Sequence, residues 1–302
     1  MPSASGRQED ATKPLRKIVR AASARRHRRR QLRTIAANAT LPGPPRVEPT
    51  WPLPRAPRGP GDADITRAFG KFPELHYAYK FEGGVSLTTR YRTDAVTHPD
   101  RPLQRFRHFM PWLLRETGGT LKGKRVLDIA CNSGFWSIQC ALLGAAEVVG
   151  FDARPELVEQ ANLVKSIVGL DNVRFQQMDF WEMSPSRLGG VFDVVLNLGI
   201  LYHLPKPLEA LELTKAMAME HIVLDTVICA ERGALIRVGW EEPEDIRAAV
   251  SPGIVMYPTR RAIDLMLKHL GVPKFQFVPL RTRDMPEVYI DGGRASWLIS
   301  LR

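Results

Sequence analysis

The side chains best suited to chemistry in this 302-residue sequence recur at one kind of place, the end of a short apolar run. Asp128 lies in VLDIA, which leads into the turn Ala130-Cys131-Asn132-Ser133-Gly134. Asp152 closes EVVGFD, and Asp179 closes VRFQQMD just before Phe180 and Trp181. Asn197 lies in FDVVLNLG, with Tyr202 and His203 a few residues on. An acid that ends a strand can accept hydrogen bonds from both hydroxyls of a ribose, the role open to Asp152. Asp179 can accept from an adenine amine, with Phe180 beside the ring. The amides of the turn and the start of the next apolar stretch suit a carboxylate, because helix N-termini favour anions. Asp128 suits an amino group or an ordered water. These parts add up to S-adenosylmethionine. Taken singly, each has a plainer reading: a solvated strand cap for the acids, core packing for Phe180 and Trp181, an ordinary connection for Tyr202 and His203. What favours the donor is their joint order, each at a strand end.

The turn has few glycines for a nucleotide loop. Gly134 supplies close approach where the turn enters the next segment, Asn132 tolerates left-handed backbone, and Ala130 adds only a methyl group. A pyrophosphate would need backbone bared along a GxGxxG spacing, which is absent, so NAD and FAD are disfavoured.

The elements that must position these residues follow from periodicity. From residue 124 onward, strand-like runs (RVLDIA, EVVGFDA, VRFQQMD, FDVVLNLG, HIVLDTVIC, FQFVPL, ASWLISLR) alternate with helix-like segments (FWSIQCALLG, PELVEQANLVKSIVGL, PLEALELTKAMA, TRRAIDLMLKHLG). Such alternation predicts an α/β fold: a Rossmann-like, doubly wound, seven-stranded, mostly parallel sheet covered on both faces. Ligands of such sheets bind at the carboxyl ends of the strands. Residues 61–120 read as an accessory subdomain ending in a helix, PLQRFRHFMPWLLRET, and 121–302 as the donor-binding domain with an insertion over 230–258. That subdomain and the insertion, through Arg237, Trp240, Met256 and Tyr257, are expected to wall an acceptor pocket.

Charge divides the chain unevenly. Residues 1–60 hold 14 Lys or Arg against Glu9, Asp10 and Glu48, a net of +11, whereas 61–302 hold 29 basic and 29 acidic residues. The body therefore gives no charge argument for a polyanionic partner. The Arg-rich stretch 12–36 could form a helix, and RRHRRR could grip RNA or anionic lipid; 41–60 is proline-dense and reads as an extended linker. The plainer reading of 1–60 is a disordered tail dispensable for donor binding; a cleaved targeting peptide is an alternative, and a secretory signal is disfavoured for want of an apolar stretch after the charges. No run of about 18 uncharged apolar residues predicts a membrane span. Cys131, Cys140 and Cys229 lack CxxC or CxxH spacing, which favours reduced thiols in a cytoplasmic protein over disulfides or zinc; no metal site is expected.

VLDIACNSGFWS through VVGFDAR and MDFWE resembles the class I S-adenosylmethionine-dependent methyltransferases. LNLGILYHLPKPLEAL resembles more particularly the branch containing the bacterial tRNA wobble-uridine carboxymethyltransferases, and the resemblance extends from about residue 84 to the C-terminus. It implies donor contacts at Asp128, Asn132, Gly134, Asp152, Asp179 and Tyr202, with Tyr91 and Arg294 at two further positions that face the donor in those enzymes. Two departures stand out. The lysine that would pair with the extra carboxylate of a carboxylated donor has no counterpart between Tyr91 and Phe109, leaving Arg92, Arg105 and Arg294 as substitutes. The arginines after Leu-Tyr-His are Leu204 and Pro205 here. Both departures favour plain S-adenosylmethionine over its carboxylated relative.

Methyl transfer is an in-line displacement that rests chiefly on alignment. A hydroxyl or ammonium acceptor also needs a base, for which His203 is the candidate, its alternative role being to orient the loop. The expected function is methyl transfer to a small-molecule or sugar-like acceptor. Its rivals are an RNA (carboxy)methyltransferase that uses the tail as a phosphate grip, and a nucleic-acid or membrane binding protein with a vestigial fold.

Overall fold

The computed structural model describes residues 28–91, 98–244 and 246–302. The central sheet has seven strands: β3 (Arg125–Ile129), β4 (Glu147–Asp152), β5 (Val173–Gln177), β6 (Phe192–Leu198), β7 (Ala218–Val227), β10 (Lys274–Phe277) and β11 (Arg294–Ser300). Their order is β10-β11-β7-β6-β3-β4-β5; β11 runs antiparallel to both neighbours, and the remaining pairings are parallel. The doubly wound, mostly parallel sheet expected from the alternation is therefore present. Its order reverses between β3 and β6, which puts the switch point beside the Asp128 strand.

Successive strand residues point to opposite faces, and both faces are buried. Val126, Val148, Val194 and Leu196 pack on one side with α4 (Phe135–Leu142) and α5 (Pro155–Val168). Leu127, Val149, Val195 and Trp297 pack on the other with α7 (Pro207–Ala216) and α8 (Arg260–His269). Fully burying one such side chain contributes about 1.5–3 kcal/mol, so the two layers fix the strand register.

The described residues of the accessory region share the core of the sheet. Ile65 and Phe69 of α2 (Asp62–Gly70), Tyr79 of β1 (Tyr79–Lys80), which pairs with β2 (Ser86–Leu87), and Phe106, Phe109 and Leu113 of α3 (Arg101–Glu116) join the same buried cluster as Val126 and Ile138. Among the described residues no helix is long and apolar enough to cross a membrane.

The described part of the N-terminal segment departs from the disordered tail that its composition predicts. Residues 28–40 form helix α1, with Ile35 buried against Leu280, Met285, Tyr289 and Ile290. Residues 41–60 run along the body. Leu53 is buried, its amide donates to the Lys80 carbonyl, and its carbonyl accepts from the Glu82 amide. Gln139 both donates to and accepts from the Thr50 backbone. Proline content made this stretch extended; apolar Trp51 and Leu53 made it adhere. The 1–27 part of the tail lies outside the described residues, as does Arg92.

The insertion holds two strands not read from the sequence, β8 (Ile236–Glu241) and β9 (Gly253–Pro258), paired antiparallel. Among the described residues the chain also carries the short helices α6 (Pro185–Leu188) and α9 (Glu287–Ile290).

Candidate functional site

One cavity of about 370 Å³ opens at the carboxyl ends of β3, β4 and β6. Ala130, Asn132, Asp152, Asp179, Phe180, Tyr202, His203 and Arg294 line it, so eight of the residues singled out from the sequence meet in one space. The turn after β3 achieves this by its backbone: Ala130 and Asn132 take φ of 52° and 53°, and Gly134 takes 85°. Asn132 behaves as expected for a residue tolerant of the left-handed region, while Ala130 adopts it against its preference. A Cβ on Gly134 would lie 2.8 Å from Phe175 Cζ, so glycine is needed there for packing as well as conformation.

Asp152 forms the floor of one end. It is buried and accepts from the amides of Asn132 (2.9 Å) and Arg154 (3.0 Å), which leaves further lone pairs on both oxygens. Burial raises its pKa, and these two amides oppose the shift. Asp179 is exposed at the rim, where its carboxylate caps a short 3-10 turn by accepting from the Trp181 amide at 2.9 Å. Phe180 is buried beside it. Two carboxylates flanking an apolar slot suit a ribose and an adenine amine.

The other end is cationic. Arg294, Arg101 and Arg105 reach the cavity from β11 and α3. Asp225, buried in β7, accepts from Arg105 Nη2 (2.7 Å), Arg294 Nε (2.6 Å) and Ser296 Oγ (2.6 Å), and from the Tyr289 hydroxyl. Burial alone would raise its pKa; the two guanidiniums, then Ser296 and Tyr289, outweigh it and hold the carboxyl far below its ordinary range. Gly199, at φ 109°, lets Arg294 lie over the backbone, since a Cβ there would come within 2.7 Å of Arg294 Nη2.

Between the two ends sit Tyr202 and His203, on the 3-10 turn after β6. His203 Nδ1 lies 2.6 Å from Glu241 Oε2, at the end of β8, and that same oxygen accepts from the Ala249 amide at 2.9 Å. Burial works against the Glu241 charge, but the bonds from His203 and Ala249 prevail and its pKa falls. A histidine held at Nδ1 by a carboxylate presents Nε2 to a reactant. Tyr202 stacks on Tyr257, ring centroids 6.1 Å apart.

Several expectations need correction. Asp128 does not line the cavity; it lies under the turn, accepts from Ser137 Oγ at 2.6 Å, and burial pushes its pKa up to about 7. Asn197 is buried and donates to Thr214 of α7, and Gly134 packs beneath the turn; neither lines the cavity. Tyr91 also stands outside the lining, donating to the His76 carbonyl with the Arg247 guanidinium over its ring. The turn amides are not open to a carboxylate: those of Cys131, Asn132, Ser133 and Gly134 donate to Phe151, Asp152, Asn132 Oδ1 and Cys131. Arg237, Trp240, Met256 and Tyr257 do not wall the cavity; the connecting stretch 246–254 of the same insertion does.

Glu241, Arg101 and Asp225 were missed. Asp225 left a legible signal, an acid inside the apolar run HIVLDTVIC that burial on both faces obliges to find cations. Arg101 and Glu241 left none, since each lies in a polar stretch of ordinary composition. The three cysteines are free and buried, and among the described residues no group of three or more His, Cys, Asp or Glu is placed to hold a metal ion.

Residues 120–237 match the methyltransferase domain family, a span that contains every strand-end acid of the site but not Arg101, Glu241 or Arg294. The chain is 28% identical over 181 residues to the tRNA U34 carboxymethyltransferase of Pseudomonas fluorescens (strain Pf0-1), covering 59% of this chain and 53% of that protein. It is likewise 28% identical over 205 residues to that of Shewanella piezotolerans (strain WP3 / JCM 13877), covering 67% and 54%. The chain thus spans about half the length of these curated relatives. Among solved structures, the N-terminal domain of EvdMO1, crystallised in the presence of SAH and D-fucose, matches with a TM-score of 0.62 at 20% identity, over 82% of this chain and 100% of that one, a likeness of fold. The strand order, the cavity at the switch point and the family match together show that this chain carries a class I S-adenosylmethionine-dependent methyltransferase domain, resembling the tRNA U34 carboxymethyltransferase branch.

Proposed function

We propose that this chain transfers the methyl group of S-adenosylmethionine to a small-molecule acceptor. The observation that carries the reading is one cavity lined by Asp152, Asp179 and His203, with Glu241 bonded to His203 Nδ1. Asp152 would accept from the ribose hydroxyls and Asp179 from the adenine amine, with Phe180 against the ring. When bound, the donor supplies an electrophilic methyl group on a sulfonium. The chain's own contribution is alignment, worth on the order of 7–11 kcal/mol when the reactants are well held. His203 Nε2 takes the proton from a hydroxyl acceptor, and Glu241 stabilises the resulting imidazolium. The stretch 246–254 lines the cavity, and residues 61–302 carry no net charge, which favours a small acceptor over a polyanion.

The curated relatives support a second reading, carboxymethyl transfer to tRNA. The lysine that would pair with a carboxylated donor is missing, but Arg101, Arg105 and Arg294 all line the cavity. The plain donor stays first because Arg105 and Arg294 are already committed to Asp225.

The test is calorimetric titration of the full chain with S-adenosylmethionine and with its carboxylated relative, followed by mass spectrometry of extracts incubated with protein and labelled donor. Tighter binding of the plain donor and a labelled small molecule are expected. A tighter carboxylated complex with label in tRNA would replace the first reading by the second.

A further inference from the structure

Among the described residues, the charges around the cationic end do not balance. Three guanidiniums, those of Arg101, Arg105 and Arg294, converge on the cavity, and one buried carboxylate, Asp225, serves two of them. The Arg101 side chain has no hydrogen-bond or ion-pair partner among the described residues, and its Nε is buried without one. The charged groups closest to it in effect are Arg294 and Arg105, which repel it; after burial, they are the next causes that lower its pKa.

Arg101 is also the first residue of the 16-residue helix α3, whose first turn holds no acid and whose Asp100 cap makes no side-chain bond. The positive end of a helix favours a negative charge, so an arginine there adds like to like. A buried cation is costly unless it is paired, and among the described residues its side chain meets no partner. The donor reading sharpens the imbalance. The donor brings one carboxylate, but also an ammonium and a sulfonium. Two guanidinium charges in excess of Asp225 thus cannot all be met by the donor.

We propose that Arg101 binds an oxyanion carried by the methyl acceptor, so that the acceptor is a small organic acid. This rests on the donor reading above and deepens it. Arg101 presents a planar fork of N–H donors, which suits a carboxylate bidentately. The helix amides behind it add to the same attraction. An uncharged sugar or a plain alcohol would leave Arg101 unpaired.

The test uses the full chain saturated with S-adenosylhomocysteine, titrated with benzoate and with uncharged benzamide by ligand-observed NMR. Benzoate is expected to bind at least tenfold tighter than benzamide. That preference should vanish in Arg101→Gln and survive in Arg101→Lys, while S-adenosylhomocysteine affinity stays within twofold in all three proteins. Equal binding of the two probes, or a preference unchanged in Arg101→Gln, overturns the proposal. A large loss of S-adenosylhomocysteine affinity in Arg101→Gln also overturns it, by giving Arg101 to the donor's own carboxylate. So does competition between benzoate and a tightly bound carboxylated donor, which would put the oxyanion on the donor. Failure of the unaltered chain to bind S-adenosylhomocysteine removes the donor reading itself and this inference with it.

Discussion

Two acids with opposite duties define the residue scale. Asp152 faces the cavity and Asp128 lies beneath it. Asp152→Ala removes the acceptor for two ribose hydroxyls, each charge-assisted bond being worth about 1.5–3 kcal/mol. S-adenosylhomocysteine affinity is expected to fall at least about tenfold by calorimetry. The same change strands the amides of Asn132 and Arg154, so melting should drop as well. Unaltered affinity would remove Asp152 from the site. Asp128 has a pKa raised by burial to about 7. Its folded state holds a proton that the unfolded chain has released, so its contribution is full below the ordinary carboxyl range and is lost as pH rises toward about 7. Each unit of that difference corresponds to about 1.4 kcal/mol. Urea denaturation from pH 4 to 7 should show a flatter pH dependence in Asp128→Asn than in the parent chain.

At the scale of elements, the insertion is the working part that composition concealed. Strand β8 ends at Glu241, and pairing with β9 sets where that carboxylate meets His203. A base fixed by a separate element can be loosened without touching the donor site. His203→Ala is expected to lower kcat by about 10²–10⁴ on a hydroxyl acceptor. Glu241→Gln keeps a hydrogen bond but loses its charge, and should lower kcat by about tenfold with KM nearly unchanged. Steady-state kinetics on the acceptor found with labelled donor decides; equal kcat in all three proteins would reduce His203 to a loop-orienting residue.

For the whole molecule, the segment before the expected boundary at residue 60 packs against the body through Ile35 and Leu53. Burial of Leu53 contributes about 1.5–3 kcal/mol, and the Thr50–Gln139 and Leu53 backbone bonds are lost with the segment. A 61–302 chain should therefore melt lower by on the order of 5 °C, whereas a 28–302 chain should match the full protein in melting and in donor affinity. Differential scanning fluorimetry with and without S-adenosylhomocysteine separates the two. A 61–302 chain as stable as the parent would show that the strap over 41–60 contributes nothing.

The sequence by itself determined the sheet, because burial on both faces demands apolar runs whose ends punctuate the chain, and VLDIA, EVVGFD and FDVVLNLG announce theirs. It also determined which acids stand at strand ends, since Asp152 and Asp179 follow directly from those limits. It could not separate Asp152 from Asp128 or Asn197, because one residue of difference along a strand turns a side chain from cavity to core. Tertiary structure alone decided the rest. Glu241 reaches His203 across 38 residues, and Arg105 and Arg294 reach Asp225 across 120 and 69. Such pairs depend on where distant elements pack, and no local period records them. The strap is the same case: its prolines told of an extended chain, and only the groove between α4 and β1 decided that it would be held.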